Sequence, residues 1–365
     1  MKTTLLYRTA LILFLIPSIA LGSNIEKWGG KHTKEKTIKK EFTVNKDALL
    51  KVNNSYGNID VVTYAGNTVS IEVKIKTNGN DEEKVQKKLD DITIEFNGTP
   101  SLVEAKTRFD KNKSSSWWNW GKNNNVNMEI NYVIKLPITN SVDLNNDYGS
   151  INLDKLEGRA TINCDYGKIT TKELMADNNS LSFDYTNNSY FEYIKSGKIN
   201  ADYSGYTVGK TKNLQVSADY TKSVIEVAED VNYNCDYGSV HIEKANNVTG
   251  NGDYLTARLG DIYKNVNLKA DYGSIEIKQM TANAGNLSIA SNYTGITIGY
   301  NSAYNFNFEI DLEHASLRDK EGLQISKQRI ESSDKHYSGY YGNSNSGNLI
   351  KINSDYGSVS LKKIN

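Results

Sequence analysis

A short motif built around tyrosine recurs so regularly that it restricts the architecture more than any other feature of the chain. From Tyr148 to Tyr293, nine copies of Asp-Tyr or Asn-Tyr, usually after a small residue, follow one another at intervals of 18, 19, 18, 17, 17, 17, 18 and 21 residues. Outlying copies lie at Tyr56 and Tyr356. Self-similarity at a fixed period indicates a repeat architecture in which equivalent units stack on one another.

The residues before each tyrosine alternate as in a β-strand. Leu214, Val216 and Ala218 fall on one side of such a strand, and Tyr220 continues the same parity. Asp219 falls on the opposite side. The alternation therefore predicts that the tyrosines point inward and the aspartates point outward.

A second apolar pair follows each tyrosine at an odd offset, as Ile275 and Ile277 follow Tyr272. The odd offset requires the inward side to switch between two strands, and the Gly-Ser step after the tyrosine suits such a corner because glycine accepts positive φ. The predicted fold is all-β: a parallel β-solenoid, or single-stranded β-helix, of about 18 residues per coil with irregular N- and C-terminal caps.

Stacked coils lie about 4.8 Å apart, so the tyrosines should form an inward ladder of offset rings. The same spacing bears on the two cysteines. Cys164 and Cys235 share one column but lie four coils apart, beyond the roughly 7 Å that a disulfide allows between Cα atoms. We therefore predict two buried free thiols.

The N-terminus has the pattern of a secretory signal peptide. Lys2 and Arg8 precede or flank a short apolar run, and small residues end at Gly22, near which we expect cleavage. No later stretch is long and apolar enough for a transmembrane segment. The predicted location is outside the cytoplasm, either in the periplasm or at the cell surface. Signal removal changes the formal net charge from zero to −2, which does not favour nucleic-acid binding.

The remaining chain divides by regularity. We expect the signal peptide in residues 1–22, a β-rich cap with one short helix in 23–140, regular repeats in 141–300, and an irregular region with a closing coil in 301–365. Asn80 is the expected N-cap of a helix from Asp81 to Leu89. Residues 331–348 are expected to form a polar loop.

The chain resembles the putative-adhesin family, a group of exported bacterial β-strand-repeat domains similar to autotransporter adhesin heads. The segment from Leu50 to Val61, the run from Val133 to Thr139 and the later Asp-Tyr-Gly-Ser repeats carry the resemblance, which covers nearly all of the mature chain. The resemblance implies a β-helical exported protein and supplies no catalytic residues.

The outward aspartates are the first candidate site. Like charges one coil apart repel, so something should compensate them. An Asx-type turn, in which each carboxylate accepts a backbone N–H two residues on, is the structural explanation, and calcium is the functional alternative. The candidate metal ligands are Asp165, Asp202, Asp219, Asp236 and Asp271.

A tryptophan cluster is the second candidate. Trp117, Trp118 and Trp120 lie in a Ser- and Asn-rich stretch, where exposed rings could contact a sugar or a protein partner. The structural alternative is that they cover the N-terminal end of the solenoid. The four histidines lack metal-ligand spacing with one another or with cysteine, and no cofactor is predicted.

Three classes of function stay open. The first is a non-catalytic envelope scaffold that binds a protein or glycan partner. The second is a periplasmic accessory or sensor in envelope-stress signalling. The third is a glycan-active β-helix enzyme, which the sequence disfavours because coils of 17 to 19 residues leave little chain for the walls of a cleft. A ladder of equivalent carboxylates also offers no unique catalytic pair.

Overall fold

The computed structural model describes residues 28–110 and 126–364. They form an all-β fold with a long mixed sheet and one short helix in the described residues, so the predicted all-β class is confirmed. The expected signal peptide and the tryptophan cluster lie outside the described residues.

The N-terminal part contains seven strands and the helix. In chain order they are β1 His32–Thr43, β2 Leu49–Ser55, β3 Ile59–Tyr64, β4 Thr68–Gly79, α1 Glu82–Asp90, β5 Ile92–Thr99, β6 Leu102–Phe109 and β7 Asn127–Pro137.

The central part contains the regular repeats. Its strands are β8 Ser141–Asp147, β9 Ile151–Leu153, β10 Ala160–Asp165, β11 Ile169–Leu174, β12 Asn179–Asp184, β13 Ser189–Asp202, β14 Gly205–Asp219, β15 Lys222–Asn234, β16 Ser239–Asp253, β17 Thr256–Ile262, β18 Val266–Asp271, β19 Ser274–Met280, β20 Leu287–Asn292 and β21 Gly295–Asn301.

The C-terminal part adds six more strands. They are β22 Phe306–Glu313, β23 Leu317–Arg318, β24 Gln324–Glu331, β25 Asp334–Tyr341, β26 Leu349–Asp355 and β27 Val359–Ile364. The predicted polar loop over 331–348 is wrong, because the whole of β25 lies within it and pairs antiparallel with β22 and β24.

Equivalent strands of successive repeat units pair in parallel and in register. Asp165 lies opposite Asp184, which lies opposite Asp202, which lies opposite Asp219. We call the strand that ends before a tyrosine incoming and the strand that follows it outgoing. The long strands β13 to β16 bend so that their first halves are outgoing and their second halves are incoming.

The core is a column of apolar side chains enclosed by these strands. On the incoming half of β14, Leu214, Val216 and Ala218 are buried while Gln215 and Ser217 are exposed, as the alternation predicts. Outgoing strands bury residues such as Ile275 and Ile277. Because successive side chains of a strand point to opposite faces, the two-residue period explains which residues are buried in both the incoming and the outgoing strands.

The predicted inward orientation of the tyrosines is wrong. Tyr220 is 51% exposed, and nine other motif tyrosines are exposed to a similar degree. Each motif tyrosine has a positive φ, for example 52° at Tyr220, so the left-handed backbone turns the ring out of the alternation that the strand had established. The side switch therefore occurs at the tyrosine, and not at the glycine that follows it.

The first and last copies of the motif are inserted within the stack rather than placed at its ends. Strand β2 lies between β6 and β8, and β26 lies between β20 and β22. Beyond them, β1 and β24 pair antiparallel with β4 and β25. Lysine, arginine and glutamate are frequent along both outer strands, which discourages edge-to-edge aggregation.

Helix α1 begins one residue later than the sequence indicates. Its N-cap is Asp81, whose Oδ1 accepts a hydrogen bond from the Lys84 N–H at 3.2 Å. Asn80, the expected cap, instead accepts a hydrogen bond from the Lys31 N–H. Val85 and Leu89 are buried side chains of the helix.

Candidate binding surface

The left-handed corners place eleven tyrosines in one line, which we call the tyrosine ladder. Each tyrosine N–H donates to the carbonyl oxygen of the motif residue before the next tyrosine, at 2.8 to 3.1 Å. A side chain other than glycine in this conformation costs roughly 1–2 kcal/mol. The members of the ladder are Tyr56, Tyr148, Tyr166, Tyr185, Tyr203, Tyr220, Tyr237, Tyr254, Tyr272, Tyr293 and Tyr356.

The rings of the ladder stack from end to end. Neighbouring ring centroids lie 4.6 to 5.2 Å apart, with interplanar angles of 9° or less. The predicted stacking is therefore confirmed, although it occurs outside the core. An aromatic pair contributes about 0.5–1.5 kcal/mol beyond the area it buries, and an interior ring takes part in two pairs. The stabilisation from two stacked pairs is therefore comparable to the free-energy cost of the left-handed backbone at one corner.

Both ends of the ladder have a different aromatic partner. Phe109 packs edge-on against Tyr56 at 6.2 Å and 84°. His314 stacks on Tyr356 at 4.7 Å and 13°, and its φ of 50° shows that it occupies a twelfth corner. Sequence reasoning missed His314 because it lacks the tyrosine, yet Glu313 lies opposite Asp355 in the strand register.

Stacking leaves one part of each ring accessible. The ring faces are covered by the rings above and below, while about half of each side chain stays exposed from Tyr148 onward. The ladder therefore presents ring edges to solvent. Half of about 200 Å² per ring, over the ten rings from Tyr148 to Tyr356, gives an exposed aromatic strip on the order of 1,000 Å². Strips of this size on soluble proteins usually mark interaction surfaces.

A row of corner aspartates runs beside the ladder. The Asp184 N–H donates to Oδ1 of Asp165 at 3.2 Å, and the Asp202 N–H donates to Oδ1 of Asp184 at 3.0 Å. The same bond repeats as far as Asp253. The predicted outward orientation is confirmed, because none of these side chains is buried. The predicted Asx-type turn is wrong, since the carboxylate accepts from the next unit and not from a backbone two residues on.

The corner aspartates form no salt bridge within the described residues. Instead, backbone N–H groups of the next unit donate to these carboxylates and partly offset the repulsion between them. Burial raises the pKa of Asp253, and the negative charges of Asp236 and Asp271 raise it further. At Asp253, the like charges of its neighbours therefore oppose the ionised carboxylate, while the backbone hydrogen bond from Asp271 favours it.

Glycine or a hydroxyl residue follows the ladder tyrosine in every unit but one, in which Leu255 is buried. At Gly167, a Cβ would lie well inside contact distance of the Gly149 carbonyl oxygen, so the close approach of two units requires glycine. At Thr221, the side chain points inward instead, and its hydroxyl donates to the Asp219 and Ala201 carbonyl oxygens at 2.9 and 3.1 Å. Both solutions allow the same corner.

The outward side of the incoming strands forms a polar surface that we call the amide face. Its first column is rich in asparagine, and the Asn163 amide donates to Asn145 at 2.7 Å while Asn251 donates to Asn234 at 2.9 Å. The two columns of the face are Asn145, Asn163, Ser182, Asn200, Ser217, Asn234, Asn251 with Lys269, and Asp143, Thr161, Ser180, Lys198, Gln215, Asn232, Thr249 with Asn267.

The candidate metal ligands are brought into one row by the fold. Asp165, Asp202, Asp219 and Asp236 each accept a backbone hydrogen bond, and Asp271 accepts from both nitrogens of Asn292. In the part of the chain that the structure describes, no group of three or more His, Cys, Asp or Glu side chains is arranged to hold a metal ion.

Both cysteines are free and buried, as predicted. Burial raises the pKa of each thiol to about 12, and nearby aspartates add to the effect. The Cys164 thiol donates to the Gly149 carbonyl oxygen at 3.4 Å. These groups belong to the core column and contribute nothing to the exposed surface.

Among residues 28–110 and 126–364, no helix combines the length and the hydrophobicity that crossing a bilayer requires.

The chain is similar to several solved structures at low sequence identity. A putative adhesin from Parabacteroides merdae is 12% identical, covers 89% of this chain and 96% of its own, and has a TM-score of 0.34. A putative adhesin from Bacteroides fragilis is 13% identical over 90% and 97%, with a TM-score of 0.25. A putative lipid binding protein from Parabacteroides distasonis is 9% identical over 92% and 98%, with a TM-score of 0.33.

No protein-family model and no curated protein matches the chain. Similar solved structures nevertheless include proteins described as putative adhesins, the family that the sequence resembles. The case for a function rests on this chain's own surface.

Proposed function

We propose that this protein is an exported, non-catalytic binding scaffold, and that the tyrosine ladder with its row of aspartates is the docking surface for an envelope or cell-surface partner. The observation that carries the proposal is the strip of stacked rings, half-exposed at ten of the eleven tyrosine corners. Tyrosine is enriched in protein interfaces because it offers a rigid apolar body and a polar tip.

The scaffold itself is proposed to be a parallel β-solenoid of about 18 residues per coil. The in-register parallel pairing of equivalent strands supports this arrangement. A rigid rod of this kind holds its side chains at a constant spacing. A partner with its own regular repeat could then make the same contact many times.

A binding role agrees better with the surface than catalysis does. The aspartates are equivalent from unit to unit and accept the same backbone hydrogen bond, so no pair of them is distinguished as acid and base. An assay for product release with any captured glycan separates the two classes. Binding without turnover is the expected result.

The proposal is tested by blocking the ladder in a chain that still folds. Lys222 is exposed two residues after Tyr220, whereas Lys212 is exposed in the middle of β14, where its outgoing and incoming halves meet. A polyethylene glycol maleimide on Lys222→Cys should abolish binding of the mature chain to isolated envelope material. The same label on Lys212→Cys should leave binding intact. The native thiols are buried and do not compete for the label.

Two outcomes contradict the proposed surface. Equal binding by both labelled variants places the contact elsewhere on the molecule. An equal loss of envelope binding by both labelled variants means that the polymer blocks binding nonspecifically, wherever it is attached. Protease accessibility on intact cells separately decides between a periplasmic and a surface location.

The tryptophan prediction is a second, independent proposal. Trp117, Trp118 and Trp120 are expected ligand contacts, and their replacement by alanine should reduce binding if that segment contributes. Calcium binding by the corner aspartates also stays a hypothesis. A melting temperature that is equal in excess calcium and in chelator would remove it.

A further inference from the structure

The amide face borders the tyrosine ladder and differs from it in chemistry. Within its asparagine column, each amide has two donor hydrogens and two acceptor lone pairs, of which a bond to one neighbour uses only one group. Asn163 and Asn251 are exposed in addition to making these bonds. The face therefore offers unused amide donors and acceptors at the units where this column carries asparagine.

The face is concave over several units. A depression of about 450 Å³ extends over five of them along the second column, from Ser180 to Thr249, and continues on the side away from the ladder to Arg159 and Asp230. A second depression of about 310 Å³ extends beside the last rungs of the ladder, over Asn251, Asp253, Asp271 and Asn292. A long polymer could lie in these depressions parallel to the ladder.

The spacing of the units restricts which polymer could fit. Neighbouring rings are separated by 4.6 to 5.2 Å. An extended polypeptide advances about 3.3 Å per residue and soon falls out of step with such a row. The sugars of a linear β-1,4-linked glycan repeat at close to the rung spacing, so one sugar can meet one unit over a long stretch.

The charges restrict the polymer further. The row of aspartates beside the face repels nucleic acids and acidic polysaccharides. Most other outward groups of the face are uncharged amides and hydroxyls, which both donate to and accept from sugar hydroxyls. Because the ring faces of the ladder are covered, contact with a sugar is limited to ring edges and polar groups.

From these features we infer that the amide face and the adjoining edge of the tyrosine ladder bind a neutral, linear β-1,4-linked glycan that runs along the stack of units. The inference rests on the proposed binding function and specifies its partner. The glycan lies with one sugar per unit, hydrogen-bonded to the asparagine column and to the corner aspartates.

The test measures binding of soluble hexasaccharides to the mature chain by calorimetry. Cellohexaose and the β-1,4-linked hexamer of N-acetylglucosamine are the probes, and the length-matched controls are the β-1,3-linked and α-1,4-linked glucose hexamers. The β-1,4 hexamers should bind at least tenfold more tightly than the controls. Binding should grow with chain length from the trimer to the hexamer.

Variants locate the contact. Asn234→Ala with Asn251→Ala should weaken hexamer binding tenfold or more at an unchanged melting temperature. Asn152 is an exposed asparagine on an outgoing strand, bonded to Asp60 at 2.7 Å, and Asn152→Ala is the matched control with unchanged binding.

Three results would overturn the inference: equal binding of all four hexamers, binding that survives the double variant, or self-association of the chain in place of glycan binding. If envelope binding still depends on an open ladder while no β-1,4 hexamer binds, the glycan assignment fails and the proposed function stands. If envelope binding does not depend on the ladder, the proposed function fails as well.

Discussion

The tyrosine corner and the flank formed by the outgoing strands and their turns differ in how their charged side chains are arranged. On the flank, ion pairs join oppositely charged side chains of neighbouring units, as between Lys172 and Asp154 at 2.6 Å and between Lys195 and Asp177 at 3.0 Å. Three further pairs of this kind are Lys155–Glu173, Arg258–Glu276 and Lys278–Asp261. At the corner, the same acid and the same aromatic ring recur in nearly every unit.

The five flank ion pairs follow from local physics, because neighbouring opposite charges attract and neighbouring like charges repel. The corner keeps like charges in a row and a tyrosine in a conformation that glycine adopts more easily. Ring stacking offsets the strain of the tyrosines, whereas the repeated row of like charges is the feature that agrees with the proposed binding partner.

The largest expected effect comes from removing one ring of the ladder. Tyr220→Ala loses two stacks and the buried half of a ring while the left-handed backbone stays, so we expect a loss of about 2–3 kcal/mol in the free energy of unfolding. Tyr263→Ala removes a 41%-exposed ring outside the ladder and should cost about 0.5 kcal/mol or less. Urea denaturation of both variants checks the difference, and equal losses would contradict the energetic role of the ladder.

A glycine at the same position separates strain from stacking. Tyr220→Gly also removes both stacks but relieves the left-handed strain, for which the φ of 52° is the observation. It should therefore retain about 1 kcal/mol more stability than Tyr220→Ala. The opposite order in matched denaturation curves would mean that the corner is not strained. At an ordinary strand position, a glycine substitution normally lowers stability more than an alanine substitution does, so the predicted order is specific to the left-handed corner.

High pH should affect the corner through its phenols. Burial raises the pKa of Tyr237, and the neighbouring tyrosines and aspartates raise it further. The folded state therefore favours the neutral phenol. Its contribution to stability is complete below the ordinary pKa of 10.0 and is lost as the pH rises through the raised value.

Tyr166→Phe with Tyr237→Phe tests this dependence, because the pKa of Tyr166 is also raised by burial and by its neighbours. Between about pH 9 and pH 11, the free energy of unfolding should fall less in the double variant than in the parent chain. The difference should equal the pH-dependent contribution of the two phenols that were removed. Tyr190→Phe is the control outside the ladder. Parallel pH profiles for all three proteins would rule out the proposed coupling along the row.

The smallest expected effects compare the charges themselves. Lys172→Ala breaks a flank pair whose lysine is 64% exposed, and it should cost about 0.5 kcal/mol or less. Asp253→Asn keeps an acceptor oxygen and removes one like charge, so it should stabilise the fold slightly. High salt should reduce both effects. A destabilising Asp253→Asn would show that the carboxylate has a partner beyond the row.

The strand pattern was readable from sequence because burial follows the pleat. Leu214, Val216 and Ala218 are buried as their parity indicates, and the aspartates point outward. The outward direction of the Tyr220 ring could not be predicted. One left-handed residue reverses the inward–outward alternation of the strand, and the residue pattern does not indicate its positive φ. His314 was missed for a related reason: a corner is defined by its backbone, and the ring that occupies it can vary.

The surface was therefore only partly predictable. The repeat gave the row of aspartates and the stacking of the rings, since both follow from register. The bond from one unit's N–H to the next unit's carboxylate depends on how the strands are staggered, as between Asp236 and Asp219 at 3.1 Å. The outlying motif copies mark Tyr56 and Tyr356 as corners, but nothing in the sequence indicates that β2 inserts between β6 and β8 or β26 between β20 and β22.

Tyrosine footprinting by mass spectrometry tests the central claim most directly. The mature chain is labelled at its accessible phenols with and without isolated envelope material. We predict that the ladder rungs from Tyr148 to Tyr293 are labelled in the free chain and protected in the mixture, while Tyr190 and Tyr263 are labelled equally in both. Ladder phenols that are unreactive in the free chain, or equally reactive in both samples, would contradict the account.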